Sequence, residues 1–130
     1  MFPKETKILV VDDMKTVRKL VSMALKENGY ANITEAENGV DAWNKLNAQP
    51  DFGVIISDWN MPEMTGLDLL KKVREAPPFS KLPFIMLTAE SESQQVLAAV
   101  QAKVTNYVVK PFTNVQILEK LTAAYNKSKA

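Results

Sequence analysis

The sequence of 130 residues contains no cysteine and no histidine. The absence of cysteine excludes disulfide bonds and thiolate nucleophiles, and the absence of both residues excludes Cys/His zinc sites and catalytic Ser–His or Cys–His pairs. Any chemistry must therefore use carboxylates, lysines, hydroxyl groups and a bound cation. Oxygen ligands favour a hard cation such as Mg²⁺, Mn²⁺ or Ca²⁺ over zinc or copper.

Long hydrophobic runs and an excess of one charge sign are also missing. The first apolar run covers residues 8–11 and ends in two aspartates, whereas a helix that spans a bilayer needs about 20 apolar residues. Sixteen Lys and Arg against fifteen Asp and Glu give a net charge of +1, which removes the usual electrostatic attraction to nucleic acid and acidic membranes. We therefore expect a cytoplasmic protein with no membrane or nucleic-acid partner, and a monomer by default.

Short apolar runs alternate with helix-length amphipathic segments along the chain. Four runs are too short for helices and too continuously apolar for half-exposed strands. They indicate strands buried on both faces of a parallel sheet: Ile8–Val11, Val54–Ile56, Phe84–Leu87 and Tyr107–Val109. A weaker fifth strand is expected at Ile33–Glu35. This alternation predicts a single α/β domain over residues 1–130, with a doubly wound five-stranded parallel sheet, five helices and right-handed crossovers.

Turn and capping residues mark the boundaries of the predicted helices. Gly29 can end the first helix, Asn38 precedes the second and Pro77 stops the third. Ser91 and Thr113 are the expected N-caps of the fourth and fifth helices.

Polar side chains stand at the ends of four of the predicted strands. Asp12 and Asp13 close the first, Asp58 the third, Thr88 the fourth and Lys110 the fifth. In an open parallel sheet these ends share one edge, where reactive groups usually sit. Two carboxylates 4 Å apart repel by about 4 kcal/mol at an effective dielectric of 20, and a divalent cation with Lys110 would relieve this. A carboxylate held against such a cation is a nucleophile that can accept a phosphoryl group.

Four motifs in order resemble the signature of the bacterial response-regulator receiver domain, and in particular its chemotaxis regulators. They are Val10–Asp13, Asp58–Pro62, Thr88–Glu90 and Tyr107–Phe112. The resemblance covers nearly the whole chain and implies a flavodoxin-like fold with the strand order 2-1-3-4-5.

The resemblance also implies a metal site and a phosphoacceptor. It makes Asp58 the phosphoacceptor and Asp13 a direct ligand of Mg²⁺, with Mn²⁺ as a second possibility. Asp12 would act mainly through metal-bound water, Asp58 would also contact the ion, and Asn60 would offer its backbone carbonyl.

Three further roles follow from the resemblance. Lys110 and the Thr88 hydroxyl would hold the phosphoryl oxygens. Thr88 would then move toward the phosphoryl group and Tyr107 would turn inward, which alters the surface made by the fourth helix, fifth strand and fifth helix. The alternative for Tyr107 is simple packing beside a strand.

The implied partners are a histidine kinase of the CheA type as phosphoryl donor, the flagellar motor switch protein as target, and a phosphatase as a further candidate. Such a protein is not a classical enzyme, although it catalyses its own phosphorylation and dephosphorylation. A receiver domain of another pathway, or one that serves as a phosphate sink, stays open as the nearest alternative.

Other protein classes share parts of this residue set. A phosphatase of the haloacid dehalogenase type places its nucleophile and acid two residues apart after the first strand, whereas Asp12 and Asp13 are adjacent and Met14 follows. A flavodoxin needs a hydroxyl- and glycine-rich loop there, and this acidic loop would repel the flavin phosphate. An adaptor that is never phosphorylated would not need the acidic set with Lys110.

The sequence departs from the family before the last predicted strand. Receiver domains usually show Ala-Gly-Ala there, but this chain has Ala102–Val104 with Lys103 in place of glycine. We expect Lys103 to follow the fourth helix with a positive φ, at a strain of roughly 1 kcal/mol. The alternative is a rebuilt helix end in which Asn106 takes the left-handed conformation. The resemblance further implies a cis Lys110–Pro111 peptide bond.

Overall fold

Five parallel strands form one sheet in the order β2-β1-β3-β4-β5. The computed structural model describes residues 1–88 and 93–129. The strands are β1 Ile8–Val11, β2 Ile33–Ala36, β3 Val54–Asp58, β4 Phe84–Thr88 and β5 Asn106–Val109. All five predicted strands are therefore confirmed, and so is the order that the resemblance implied.

Five helices connect and cover the strands. They are α1 Lys15–Glu27, α2 Gly39–Ala48, α3 Gly66–Glu75, α4 Ser93–Gln101 and α5 Asn114–Lys129, and a short 3-10 helix spans Pro77–Phe79. The Asn38 side chain caps α2 by accepting a hydrogen bond from the Asp41 amide at 2.8 Å. Thr113 Oγ1 likewise accepts from the Gln116 amide at 3.1 Å at the start of α5. Ser91, the expected cap of α4, lies outside the described residues.

The sheet carries a hydrophobic core on each face, because successive side chains of a strand point to opposite sides. Ile8 and Val10 pack in the cluster formed with α1 and α5. Leu9 and Val11 pack in the cluster formed with α2, α3 and α4. All four residues are fully buried, which stabilises the fold by roughly 1.5–3 kcal/mol for each large apolar side chain. In the part of the chain that the structure describes, no helix combines the length and apolarity needed to span a membrane.

Some apolar residues that fit helical spacing are exposed instead of buried. Leu20 on α1 is 56% exposed, and Leu97 and Val100 on α4 are 58% and 56% exposed. A helix packed on one face of a sheet buries a stripe of its surface, and residues outside this stripe stay in solvent. On α4 the buried stripe includes Ala99, which is fully buried.

The register of the sheet brings the polar strand ends to one edge. Val11 pairs with Ser57, so Asp12 follows β1 close to Asp58, the last residue of β3. Thr88 is the last residue of β4 and pairs with Val109, so the next residue along β5 is brought to the same edge. The ends of β1, β3, β4 and β5, which are far apart in the sequence, thus lie close together.

Candidate functional site

Three carboxylates cluster at the carboxyl edge of the sheet. One oxygen from each of Asp12, Asp13 and Asp58 lies within 4.8 Å of the others. Asp12 is fully buried and Asp58 is 7% exposed, whereas Asp13 faces solvent. The Met14 amide donates to Asp12 Oδ1 at 2.9 Å, which turns the chain sharply from β1 toward α1.

Lys110 joins two of these carboxylates. Its Nζ donates a hydrogen bond to Asp58 Oδ1 at 2.7 Å and lies 3.5 Å from Asp12 Oδ2. The Lys110 amide donates to Thr88 O at 2.8 Å, which ties the end of β5 to the end of β4. The Lys110–Pro111 peptide bond is cis, as expected. Burial alone would lower the pKa of Lys110, but the hydrogen bond and charge of Asp58, with the charge of Asp12, raise it overall.

The cluster is short of positive charge. Burial and the nearby Asp58 charge raise the pKa of Asp12 to about 6 from 3.8, although the Met14 amide and Lys110 pull it down. Asp12 Oδ2 is buried and receives no hydrogen bond from the described residues. Three carboxylates against one ammonium group leave an excess of two negative charges. The residues therefore fit a hard divalent cation such as Mg²⁺, which prefers oxygen ligands.

The Thr88 hydroxyl is buried at the end of β4, on the side of the sheet ends that carries this cluster. Thr88 is fully buried, and its Oγ1 has no hydrogen-bond partner among the described residues. A buried hydroxyl usually forms a hydrogen bond, and the binding of a phosphoryl oxygen by Thr88 stays a prediction. Ala89 and Glu90, which complete this motif in the sequence, lie outside the described residues.

The chain after Asp58 is positioned by a close backbone approach. The Gly66 amide donates to Trp59 O at 2.8 Å, and a Cβ atom on Gly66 would lie 2.1 Å from Asp58 O. Only glycine fits there. Asn60 is exposed in the turn between these residues, and the binding of a cation by its carbonyl stays a prediction.

Arg18, in the first turns of α1, supports the site and was not predicted from the sequence. Its Nη1 donates to Asp12 O at 2.7 Å, and its Nε donates to Glu35 Oε1 at 2.9 Å. The only signal in the sequence is an arginine early in a helix and an acidic residue on the neighbouring strand. Neither residue type is unusual at such a position.

Tyr107 and Lys103 lie on the side of the molecule formed by α4, β5 and α5. Tyr107 is half-buried, and Lys120 Nζ lies 5.6 Å from the centroid of its ring. Lys103 has φ 67°, and its amide and that of Val104 donate to Val100 O and Ala99 O, each at 3.0 Å. This pattern is a Schellman motif with Lys103 at C′. The expected positive φ of Lys103 after the fourth helix is confirmed, the rebuilt helix end is not formed, and the strain of about 1 kcal/mol stays a prediction.

The sheet order and the acidic cluster with its lysine define the architecture of a receiver domain. Residues 8–122 match the response regulator receiver domain family. The chain belongs to this family.

The chain is similar to named chemotaxis proteins. It is 51% identical over 115 residues to the chemotaxis protein CheY1 of Helicobacter pylori, a match that covers 88% of this chain and 93% of that protein. A CheY homolog of Campylobacter jejuni is 47% identical, with 88% of each chain covered. The solved structure of the chemotaxis response regulator CheY4 of Vibrio cholerae has a TM-score of 0.84 at 35% identity, and covers 92% of this chain and 98% of that one.

Proposed function

We propose that residues 1–130 form a single receiver domain that acts as a phosphorylation switch in chemotaxis. Asp58 accepts a phosphoryl group from the phosphohistidine of a CheA-type kinase. The observation that carries this proposal is the Lys110 ammonium group 2.7 Å from Asp58 Oδ1, inside a cluster of carboxylates. The similarity to chemotaxis proteins supports the pathway.

The reaction is a transfer between two nucleophiles. An Asp58 carboxylate oxygen attacks phosphorus, the bond from phosphorus to the histidine nitrogen breaks, and an acyl phosphate forms. Lys110 and the Thr88 hydroxyl donate hydrogen bonds to the phosphoryl oxygens, where negative charge gathers. Hydrolysis of the acyl phosphate by water later restores Asp58, so the protein catalyses both steps on itself without being a classical enzyme.

Asp12, Asp13, Asp58 and the carbonyl of Asn60 would hold Mg²⁺, with Mn²⁺ as a substitute. The ion would neutralise charge on the carboxylates and on the phosphoryl oxygens. Asp12 and Asp13 bring the negative charge that draws the cation to the side of Asp58.

The output is a change at the surface of α4, β5 and α5. Thr88 moves toward the phosphoryl group, and Tyr107 turns into the space that this movement opens. The same surface exposes Leu97, Val100 and Val109, which suit protein contact. The expected target is the flagellar motor switch protein, a phosphatase is a further candidate partner, and the protein works in the cytoplasm.

Mass spectrometry after incubation with acetyl phosphate and Mg²⁺ tests the chemistry. The chain should gain one phosphoryl group, and Asp58→Asn or EDTA should abolish the gain. Asp51→Asn is a matched control, because Asp51 is an exposed carboxylate paired with Lys7. Labelling that persists in Asp58→Asn would refute the assignment.

A titration with a peptide of a motor switch protein tests the output. Beryllium fluoride with Mg²⁺ stands in for the phosphoryl group on Asp58, and it should tighten peptide binding severalfold. Equal binding with and without beryllium fluoride, together with normal phosphorylation, would instead favour a phosphate sink or another pathway.

A further inference from the structure

Arg74, near the end of α3, forms hydrogen bonds with separate chain segments at the amino ends of β4 and β5. The acidic cluster lies at the opposite, carboxyl ends of the strands. Its Nε donates to Lys103 O at 2.9 Å. Its Nη1 donates to Leu82 O at 2.6 Å and to Ser80 O at 3.3 Å. Its Nη2 donates to Thr105 Oγ1 at 3.3 Å. One guanidinium group thus links α3 to the loop before β4 and to the turn between α4 and β5.

These hydrogen bonds satisfy the half-buried guanidinium group of Arg74. None of the ion pairs among residues 1–88 and 93–129 includes Arg74, and all its acceptors are neutral oxygens. A partly buried cation without a carboxylate is costly. The planar fork of donors allows it to serve several acceptors at once, which a lysine at this position would not do.

The turn to which Arg74 is hydrogen-bonded borders open space. Lys103 lines two cavities on either side of the turn. One lies between α3 and α4 and has a volume of about 450 Å³, and the other lies against β5 and α5 and has a volume of about 420 Å³. Lys103 therefore has open space on both sides, although the next residue, Val104, is buried in the core, and Lys103 is in the unfavourable left-handed region at φ 67°.

The turn leads directly into the start of β5. The Thr105 amide donates to Phe84 O at 3.0 Å, and Thr105 Oγ1 accepts from the Phe84 amide at 3.0 Å. Tyr107 follows two residues later and lines the second cavity. A displacement of Thr105 therefore moves the backbone that carries the Tyr107 ring.

We propose that Arg74 is a positioning residue for the switch, because it holds the α4–β5 turn and thereby sets the positions open to Tyr107. The inference rests on the proposed function, in which Tyr107 responds to phosphorylation of Asp58. Without Arg74 the turn relaxes into the neighbouring cavities, and Tyr107 samples both of its positions before phosphorylation. Chemistry at Asp58 is unchanged, because Arg74 contacts no residue of the acidic cluster.

Hydrogen exchange of the unphosphorylated protein tests whether Arg74 holds the turn. The variants are Arg74→Met, which keeps the length of the side chain, and Arg74→Lys, which keeps the charge. Lys72→Met is the control from the same helix, since Lys72 lies over the ring of Trp43. The amides of Val104 and Thr105 should exchange about tenfold faster in Arg74→Met, less so in Arg74→Lys, and at the original rate in the control. Unchanged exchange in both Arg74 variants would overturn the inference.

Fluorine NMR of protein labelled with 3-fluorotyrosine tests the effect on the switch. Comparison with Tyr107→Phe assigns the resonance, and beryllium fluoride with Mg²⁺ mimics phosphorylation. Beryllium fluoride changes the chemical shift of the Tyr107 resonance, and in Arg74→Met this change should be about half of that in the original protein or less. Acetyl phosphate should label Asp58 of the variant at a rate within about twofold of the original rate. Arg74→Lys carries the same test if Arg74→Met does not fold.

Two outcomes separate this inference from the proposed function. A full Tyr107 response in folded Arg74 variants would leave Arg74 a merely structural residue and overturn the inference. If the unmodified protein shows no Tyr107 response at all, the proposed switch itself fails and the positioning role fails with it. The exchange experiment then still decides whether Arg74 holds the turn.

Discussion

Replacement of Asp12 by asparagine should stabilise the metal-free protein at neutral pH. The pKa of Asp12 is about 6 in the folded protein against an ordinary value of 3.8. The folded state therefore binds a proton more tightly than the unfolded state, and stability from this group falls as pH rises from about 4 through 6. A difference of about two units corresponds to about 3 kcal/mol at pH 8. This is an upper value, because the substitution also removes the attraction between the Asp12 carboxylate and Lys110.

Urea unfolding followed by tryptophan fluorescence measures this effect. In EDTA at pH 8, Asp12→Asn should raise the free energy of unfolding by about 1–3 kcal/mol with an unchanged m-value. The gain should become small near pH 4 and disappear near pH 3, where the original carboxyl group is protonated in the folded state and largely so in the unfolded state. Asp13→Asn is the control, because Asp13 faces solvent and its change should matter less.

Magnesium should reverse the order of the two proteins. A cation that binds only the folded state stabilises it by mass action, and Asp12→Asn should weaken the proposed binding of Mg²⁺. Equal or lower stability of Asp12→Asn at pH 8 in EDTA, with equal m-values, would refute the reasoning that burial of this charge destabilises the metal-free fold.

Three further predictions concern single positions. Lys103→Gly should raise the free energy of unfolding by roughly 1 kcal/mol, because glycine tolerates φ 67°; unchanged or lower stability in urea unfolding would contradict the strain. The same variant should bind a motor switch peptide more tightly in a calorimetric titration, and equal affinities would dissociate Lys103 from partner recognition. Gly66→Ala should destabilise the fold by at least about 2 kcal/mol and slow labelling of Asp58 by acetyl phosphate, because its Cβ would lie 2.1 Å from Asp58 O; labelling at the original rate would show that the loop relaxes without moving Asp58.

The sequence was sufficient to predict most of the site, because the chemistry lies at strand ends. Continuous apolar runs identify buried strands, and in a parallel sheet their carboxyl ends must share an edge. Asp12, Asp58, Thr88 and Lys110 could therefore be assigned to one place before any contact was known. The raised pKa of Asp12 could not be predicted from the sequence, because it depends on burial and on neighbouring charges that are present only in the folded protein.

The parts that could not be predicted depend on side chains that bond to backbone carbonyls far away in the chain. Arg74 donates to Lys103 O, 29 residues further along. Every residue has a backbone carbonyl, so the sequence does not show which of them will accept a hydrogen bond from Arg74. The exposure of Leu97 and Val100 could not be predicted from apolar spacing either. The spacing shows which side of a helix is apolar, but it does not show how much of that side the neighbouring elements cover.

The site residues come from different strands, so the site forms only when the sheet has formed. Asp12 is in place only when β1 and β3 have paired, and Lys110 only when β5 has joined β4, which is the last strand contact to become possible as the chain leaves the ribosome. A partly synthesised chain that lacks Lys110 has Asp58 but not the ammonium group that neutralises it. The proposed phosphorylation of Asp58 therefore requires the complete sheet. A ligand bound where these strands end would oppose the unfolding of the whole domain rather than of one segment.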